Sequence, residues 1–154
     1  MDLVLTLDNY FGTYADRYEE ELTTEIRNNG EHTIDLANRL LSFFGEERSI
    51  NSGWRPQAIN ERTHGAAQHS KHITGQAIDL TDRDRLLAIW CLTNQSVLCD
   101  IGLWMEDPRW TSTWVHIQTV TPKSGNRIFI PSKIEPDIEQ ITFWSSYRQY
   151  LQAI

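Results

Sequence analysis

A chain of 154 residues has the length of one domain and can bury ~70% of the surface that its unfolded form exposes. Apolar residues make up 40% of it and charged residues 23%, which excludes a disordered, collagenous or low-complexity chain. Fourteen basic residues against twenty-one acidic ones give a formal charge of −7, the wrong sign for reading a phosphate backbone, so no nucleic-acid partner is expected. No apolar run approaches the ~20 residues that cross a bilayer, so no membrane partner is expected either. The opening Met-Asp-Leu-Val-Leu has an acid where a secretory signal carries its positive charge. The expectation is a single domain, residues 1–154, made in the cytoplasm without a signal peptide.

In chain order, Tyr14, Tyr18, Leu22 and Ile26 fall every fourth residue and predict one helix, which Gly30 stops. Thr33 then caps a second helix whose stripe is Ile34, Leu40, Leu41 and Phe44 and whose end is Gly45. Thr81 with Asp84 reads as a capping box opening a third helix, Leu86 to about Thr93. Pro136 suits the first turn of a fourth, with Ile138, Ile141, Trp144 and Leu151 as its stripe. Strand signals lie at Arg48–Ser52, Gln76–Leu80, Trp114–Gln118 and Arg127–Ile130. Helices and strands do not alternate regularly, so the fold class is α+β, a small antiparallel or mixed sheet with helices packed around it. Cys91 and Cys99 are too few for a disulfide framework or a thiolate zinc site and are expected as core thiols.

The chemistry concentrates in two segments. In Gln68-His-Ser-Lys-His-Ile-Thr-Gly-Gln-Ala-Ile-Asp79, Gly75 permits a tight turn after His72, and a strand follows. Alternation puts Ala77 and Asp79 on one face, with Ile78 and Leu80 in the core. In Trp114-Val-His-Ile-Gln118 the same rule sends Val115 and Ile117 inward and puts Trp114, His116 and Gln118 on the opposite face. If the strands are neighbours, His72, Asp79 and His116 converge. Two histidines and a carboxylate with a fourth position open is the arrangement of a catalytic zinc. His64 and His69 read as outer or surface histidines. Trp54, Trp104, Trp110 and Trp114 suit either the core or the apolar walls of a cleft.

Ser70-Lys-His72-Ile-Thr-Gly75-Gln-Ala77-Ile-Asp79 resembles the S-x-H-x-x-G-x-A-x-D signature of the zinc D-Ala-D-Ala carboxypeptidases and L,D-peptidases of peptidoglycan. Ser52-Gly-Trp-Arg55-Pro is similar to their upstream S-G-[YF]-R segment, and Trp114-Val-His116 to their downstream element. The three pieces occur in the family's order across residues 49–118. The resemblance implies the fold shared with the Hedgehog signalling domain, and one Zn2+ per chain on His72, Asp79 and His116. It also implies a monomeric metallopeptidase acting on peptidoglycan stem peptides, as carboxypeptidase or endopeptidase. Arg55 is then the residue that binds the substrate carboxylate or polarises the scissile carbonyl, with Ser70 and Trp114 in the substrate site. The small size resembles phage lytic enzymes, which implies a phage-encoded or virion-associated protein acting on the cell wall.

The chain departs from the family at the general base. Many members carry an acid three residues before the last histidine, where this sequence has Thr113. Glu106 is the expected base, presented by a loop that folds back over the strand, and Asp107 is the alternative. Two other readings follow from the departure: a binding domain that keeps the metal without catalysis, and a virion structural domain that the metal stabilises.

Overall fold

The computed structural model describes residues 4–131 and 135–151. Its N-terminal helices break at places different from those the apolar stripes suggest. Thr6 caps α1 (Leu7–Phe11), its side chain accepting from Asn9 N–H. A four-residue α2 (Tyr14–Arg17) and a 3-10 turn (Glu19–Glu21) follow. The Thr23 hydroxyl then accepts from Ile26 N–H and starts α3 (Thr24–Phe44), a single helix of 21 residues. The stripe from Tyr14 to Ile26 is therefore split, because a capping residue must leave the helical conformation to do its work.

Gly30 and Thr33 lie inside α3 and neither stops nor caps it. A mid-helix glycine costs ~1 kcal/mol. Burying Ile34, Leu36, Leu40 and Leu41 on the same helix gains about 1.5–3 kcal/mol each, which outweighs that cost. The glycine also has a use, since a Cβ there would lie 2.5 Å from the Phe11 ring, and its absence lets α1 pack directly on the α3 backbone. The buried Thr33 hydroxyl sits 2.7 Å from the Gly75 carbonyl and ties α3 to the turn before the second strand. Gly45 ends the helix as expected, in the left-handed conformation.

The remaining elements are β1 (Ile50–Ser52), α4 (Gln57–Arg62), β2 (Ala77–Thr81), α5 (Leu86–Thr93), α6 (Gln95–Ile101) and β3 (Trp104–Glu106). A 3-10 turn (Pro108–Trp110), β4 (Trp114–Gln118), β5 (Ile128–Phe129), α7 (Ile138–Ser145) and α8 (Arg148–Leu151) complete the described chain. All four expected strands form, most of them shorter or shifted by a residue. The expected capping box does not. Thr81 ends β2, and it is Asp82 whose carboxylate oxygens accept from Leu87 and Ala88 N–H, each at 3.0 Å, while Asp84 accepts from Leu86 N–H at 3.1 Å. Pro136 lies ahead of α7, which Asp137 caps. Only Trp144 of the expected fourth stripe is fully buried; Ile138 is 79% exposed. Cys91 is a core thiol, but Cys99 is exposed on α6, and both are free.

The sheet is mixed, with order β1-β2-β4-β3-β5; every pair is antiparallel except the parallel β3–β5. Ile78, Leu80, Met105, Val115 and Ile117 line one face and are buried with Ala37, Leu40 and Leu41 of α3 and with Leu87, Cys91 and Leu98 of α5 and α6. This is an α+β fold. Its other face carries the polar residues discussed below. Among the described residues, no helix is long and apolar enough to cross a membrane.

Gly75 adopts φ +75°, and a Cβ there would lie 2.8 Å from the Ile26 carbonyl oxygen of α3. Gly75→Ala should therefore lower the unfolding free energy by at least about 1–2 kcal/mol, the left-handed cost alone. Urea denaturation of the two proteins, compared at equal slope, is the check.

Candidate metal centre

β2 and β4 are direct neighbours, and their register sets Asp79 opposite His116. Because Ile78, Leu80, Val115 and Ile117 are sunk into the core, Asp79 and His116 share the face away from it. His72 comes from the turn preceding β2 and is nearly fully buried. Three contacts hold it: its Nδ1 lies 2.7 Å from the Gly53 carbonyl, its N–H donates to Ser70 Oγ at 3.2 Å, and its carbonyl accepts from Arg55 N–H at 3.1 Å. One ligand atom from each of His72, Asp79 and His116 lies within 4.8 Å of the others.

The protons on these rings can be assigned from their outer partners. A carbonyl only accepts, so His72 Nδ1 carries a proton towards Gly53, and Nε2 turns a lone pair to Asp79 Oδ1 at 3.2 Å. Gln118 makes the same argument for His116. Its amide nitrogen donates to the Val120 carbonyl at 2.7 Å, so its Oε1 faces His116 Nε2 at 3.1 Å and takes that proton. His116 Nδ1 is left with a lone pair 2.9 Å from the same Asp79 oxygen. Two neutral imidazoles and a carboxylate thus aim lone pairs at one point, and a cation or a proton must lie between them.

Metal-free, the proton takes that place. Burial alone would raise the Asp79 carboxyl, but its electrostatic attraction to the His72 and His116 rings and the hydrogen bonding shared with them hold it well below the usual carboxylate range. Burial alone would lower His116; the hydrogen bond and charge of Asp79, with Glu106 assisting, push it up to about 9. A metal ion relieves the same crowding. With zinc–ligand bonds of ~2.0–2.1 Å, tetrahedral ligand atoms lie roughly 3.3 Å apart. The 2.9 and 3.2 Å contacts to Asp79 are close to that spacing, and all three ligand atoms lie within 4.8 Å of one another, so the donor set could close on such an ion.

Glu106 is not in a loop. It ends β3, whose pairing with β4 runs Trp104↔Gln118 and Met105↔Ile117, so one further step sets Glu106 across from His116. The strand was hidden in the sequence because it is three residues long and shows no full alternation. Burial raises the Glu106 carboxyl, the Asp79 and Asp107 charges add to this, and His116 opposes it. Asp107 lies elsewhere: its fully buried carboxylate accepts from the backbone and guanidinium of Arg109. Arg55 donates to Asn60 Oδ1 at 3.0 Å and Ser52 Oγ at 3.2 Å, and Asp79 acts on its charge. Sequence reasoning missed Asn60, a buried side chain on α4 that also donates to the Ala67 carbonyl. An asparagine within a short helix, where it is a poor helix former, was the available signal.

Of the four tryptophans, Trp54 is a core residue whose indole N–H donates to the Ile73 carbonyl. Trp104, Trp110 and Trp114 are half-buried, and Trp114 shares the His116 face of β4. Phe129 of β5 was unforeseen; its ring meets His116 edge-on at 6.1 Å. His64 and His69 are exposed between α4 and β2.

A family model described as Peptidase M15 matches residues 16–118, a span that holds Arg55, His72, Asp79, Glu106 and His116. No curated protein and no solved structure matches the chain.

His116 is raised from 6.5 to about 9 on folding. Its contribution to the metal-free protein is complete below pH ~6.5 and is lost as pH rises through ~9. Denaturant titrations of metal-free protein should show stability falling by roughly 3 kcal/mol across that window. In His116→Asn the fall should disappear. An unchanged wild-type stability over the window would contradict the proton placement.

Proposed function

Because the chain belongs to the peptidase M15 family, a family of zinc-dependent metallopeptidases, we propose that it hydrolyses stem peptides of bacterial peptidoglycan at a bond involving a D-amino acid. The observation that carries this reading is the convergence of His72, Asp79 and His116 within the matched span. These three residues would hold one Zn2+, which when bound would supply a water of near-neutral pKa and a Lewis acid for the scissile carbonyl.

The chain's own residues do the rest. Glu106 is the general base: it takes the proton of the attacking water and returns it to the leaving amine. Its support is its position at the end of β3, next to the His116 register, and a carboxyl raised by burial towards the range where a base works best. Arg55 receives the substrate carboxylate or the developing oxyanion, a task suited to a planar fork of donors. Asn60 and Ser52 fix the orientation of that fork. Ser70 steadies the His72 backbone from the edge of the substrate site, and Trp114 gives that site an apolar wall.

Thr113, where relatives carry an acid, is the observation in favour of a metal-holding domain without turnover. Glu106 answers it, since a half-buried carboxylate at the end of the adjacent strand feels the charges of His116 and Asp79. Digestion of purified peptidoglycan, followed by mass spectrometry of the released fragments, should show stem peptides cut beside a D-residue. Chelation should stop the cleavage and zinc restore it. Intact stems under zinc-loaded conditions would reject the reading.

Glu106→Gln should keep both metal and fold while lowering turnover by ~10²–10⁴-fold, the usual contribution of a positioned acid–base group. Asp107→Asn should instead act on stability, because its partner is Arg109. Steady-state kinetics and thermal unfolding of the two variants separate these effects.

A further inference from the structure

We propose that Gln118 is a positioning residue that selects which nitrogen of His116 faces the metal, an inference that rests on the zinc reading above. An imidazole can present either ring nitrogen, and its tautomer follows the hydrogen bond made by the other one. Gln118 stands two residues after His116 on β4, so both side chains leave the same face of the strand. It is 6% exposed, so water does not readily replace it as the partner of the His116 ring.

Its amide cannot turn around without loss. With the amide nitrogen donating to the Val120 carbonyl, the oxygen must face His116 Nε2. A reversed amide would set an oxygen against the Val120 carbonyl and an N–H against the Nε2–H, two clashes in place of two hydrogen bonds. His116 Nε2 is thereby kept protonated, and Nδ1 is kept as the free lone pair beside Asp79 Oδ1. Gly53 performs the same task for His72 through a backbone carbonyl, which no side-chain substitution can remove. Gln118 is the one of these two outer acceptors that mutation can test. Partners of this kind usually account for 10–100-fold in metal affinity.

The test measures zinc affinity by competition with a chromophoric chelator, in wild type, Gln118→Met and Gln118→Glu. Methionine keeps the bulk and removes the acceptor, whereas glutamate keeps an acceptor for the Nε2–H. Gln118→Met should bind zinc ~10–100-fold more weakly; Gln118→Glu, which also loses the N–H donated to the Val120 carbonyl but keeps the acceptor for His116, should bind zinc more tightly than Gln118→Met. Equal losses in both variants would mean a packing role and would overturn the inference, as would wild-type affinity in Gln118→Met. One measurement needs no variant: nitrogen-15 NMR of zinc-loaded wild type should find His116 bound through Nδ1 with its proton on Nε2. Binding through Nε2 overturns the inference alone. A wild-type chain that takes up no zinc overturns the zinc reading, and this inference with it.

Discussion

One oxygen of Asp79 is approached by two imidazole nitrogens, at 3.2 Å from His72 and 2.9 Å from His116. Each ring carries its proton on the other nitrogen, held by the Gly53 carbonyl or by Gln118. Charge of this density in a buried place is costly unless it is compensated, so the site is stable only with a cation or a shared proton at its centre. Much of the surrounding fold keeps these three groups from moving apart. The β2–β4 ladder fixes Asp79 against His116. The turn at Gly75, held by Thr33 and by Asn29 of α3, fixes where His72 arrives. The Tyr10 hydroxyl of α1 donates to the Ala77 carbonyl at 2.8 Å and secures the start of β2.

The elements that set this geometry were legible because each obeys a strong local rule. β2 and β4 each alternate apolar and polar residues over their last four positions, and Gly75 stands where a left-handed residue is required. The elements that were misread obey longer-range rules. Gly30 looks like a stop until Phe11 of another helix is seen packed over it. The capping role given to Thr81 belongs to Asp82, because Arg85 adopts φ +63° and turns the chain so that Asp82 reaches the first amides of α5. Nothing within the segment announces that turn.

The candidate site divides in the same way. The three residues that could hold a metal ion were readable from strand faces and from motif spacing. Glu106 was named, but for a loop, since a strand of three residues between the turn at Gly102 and a proline turn lacks the length to show its period. Gln118 was seen as sharing the His116 face and no more, because its role depends on the Val120 carbonyl that locks its amide. Phe129 reaches His116 only because β5 joins β3 in parallel at the sheet edge, beyond the span that the family model covers. Pairings between distant segments leave little trace in a single sequence, whereas alternation and turn chemistry leave much.

The central claim is that His72, Asp79 and His116 form one metal-binding group with room for a fourth ligand. X-ray absorption at the zinc edge of the loaded protein tests it most directly. The account predicts four nitrogen or oxygen neighbours at ~2.0–2.1 Å, with the scattering pattern of two imidazoles. A sulfur neighbour at ~2.3 Å would point to a cysteine, and a six-coordinate oxygen shell to adventitious binding. Either result would contradict it.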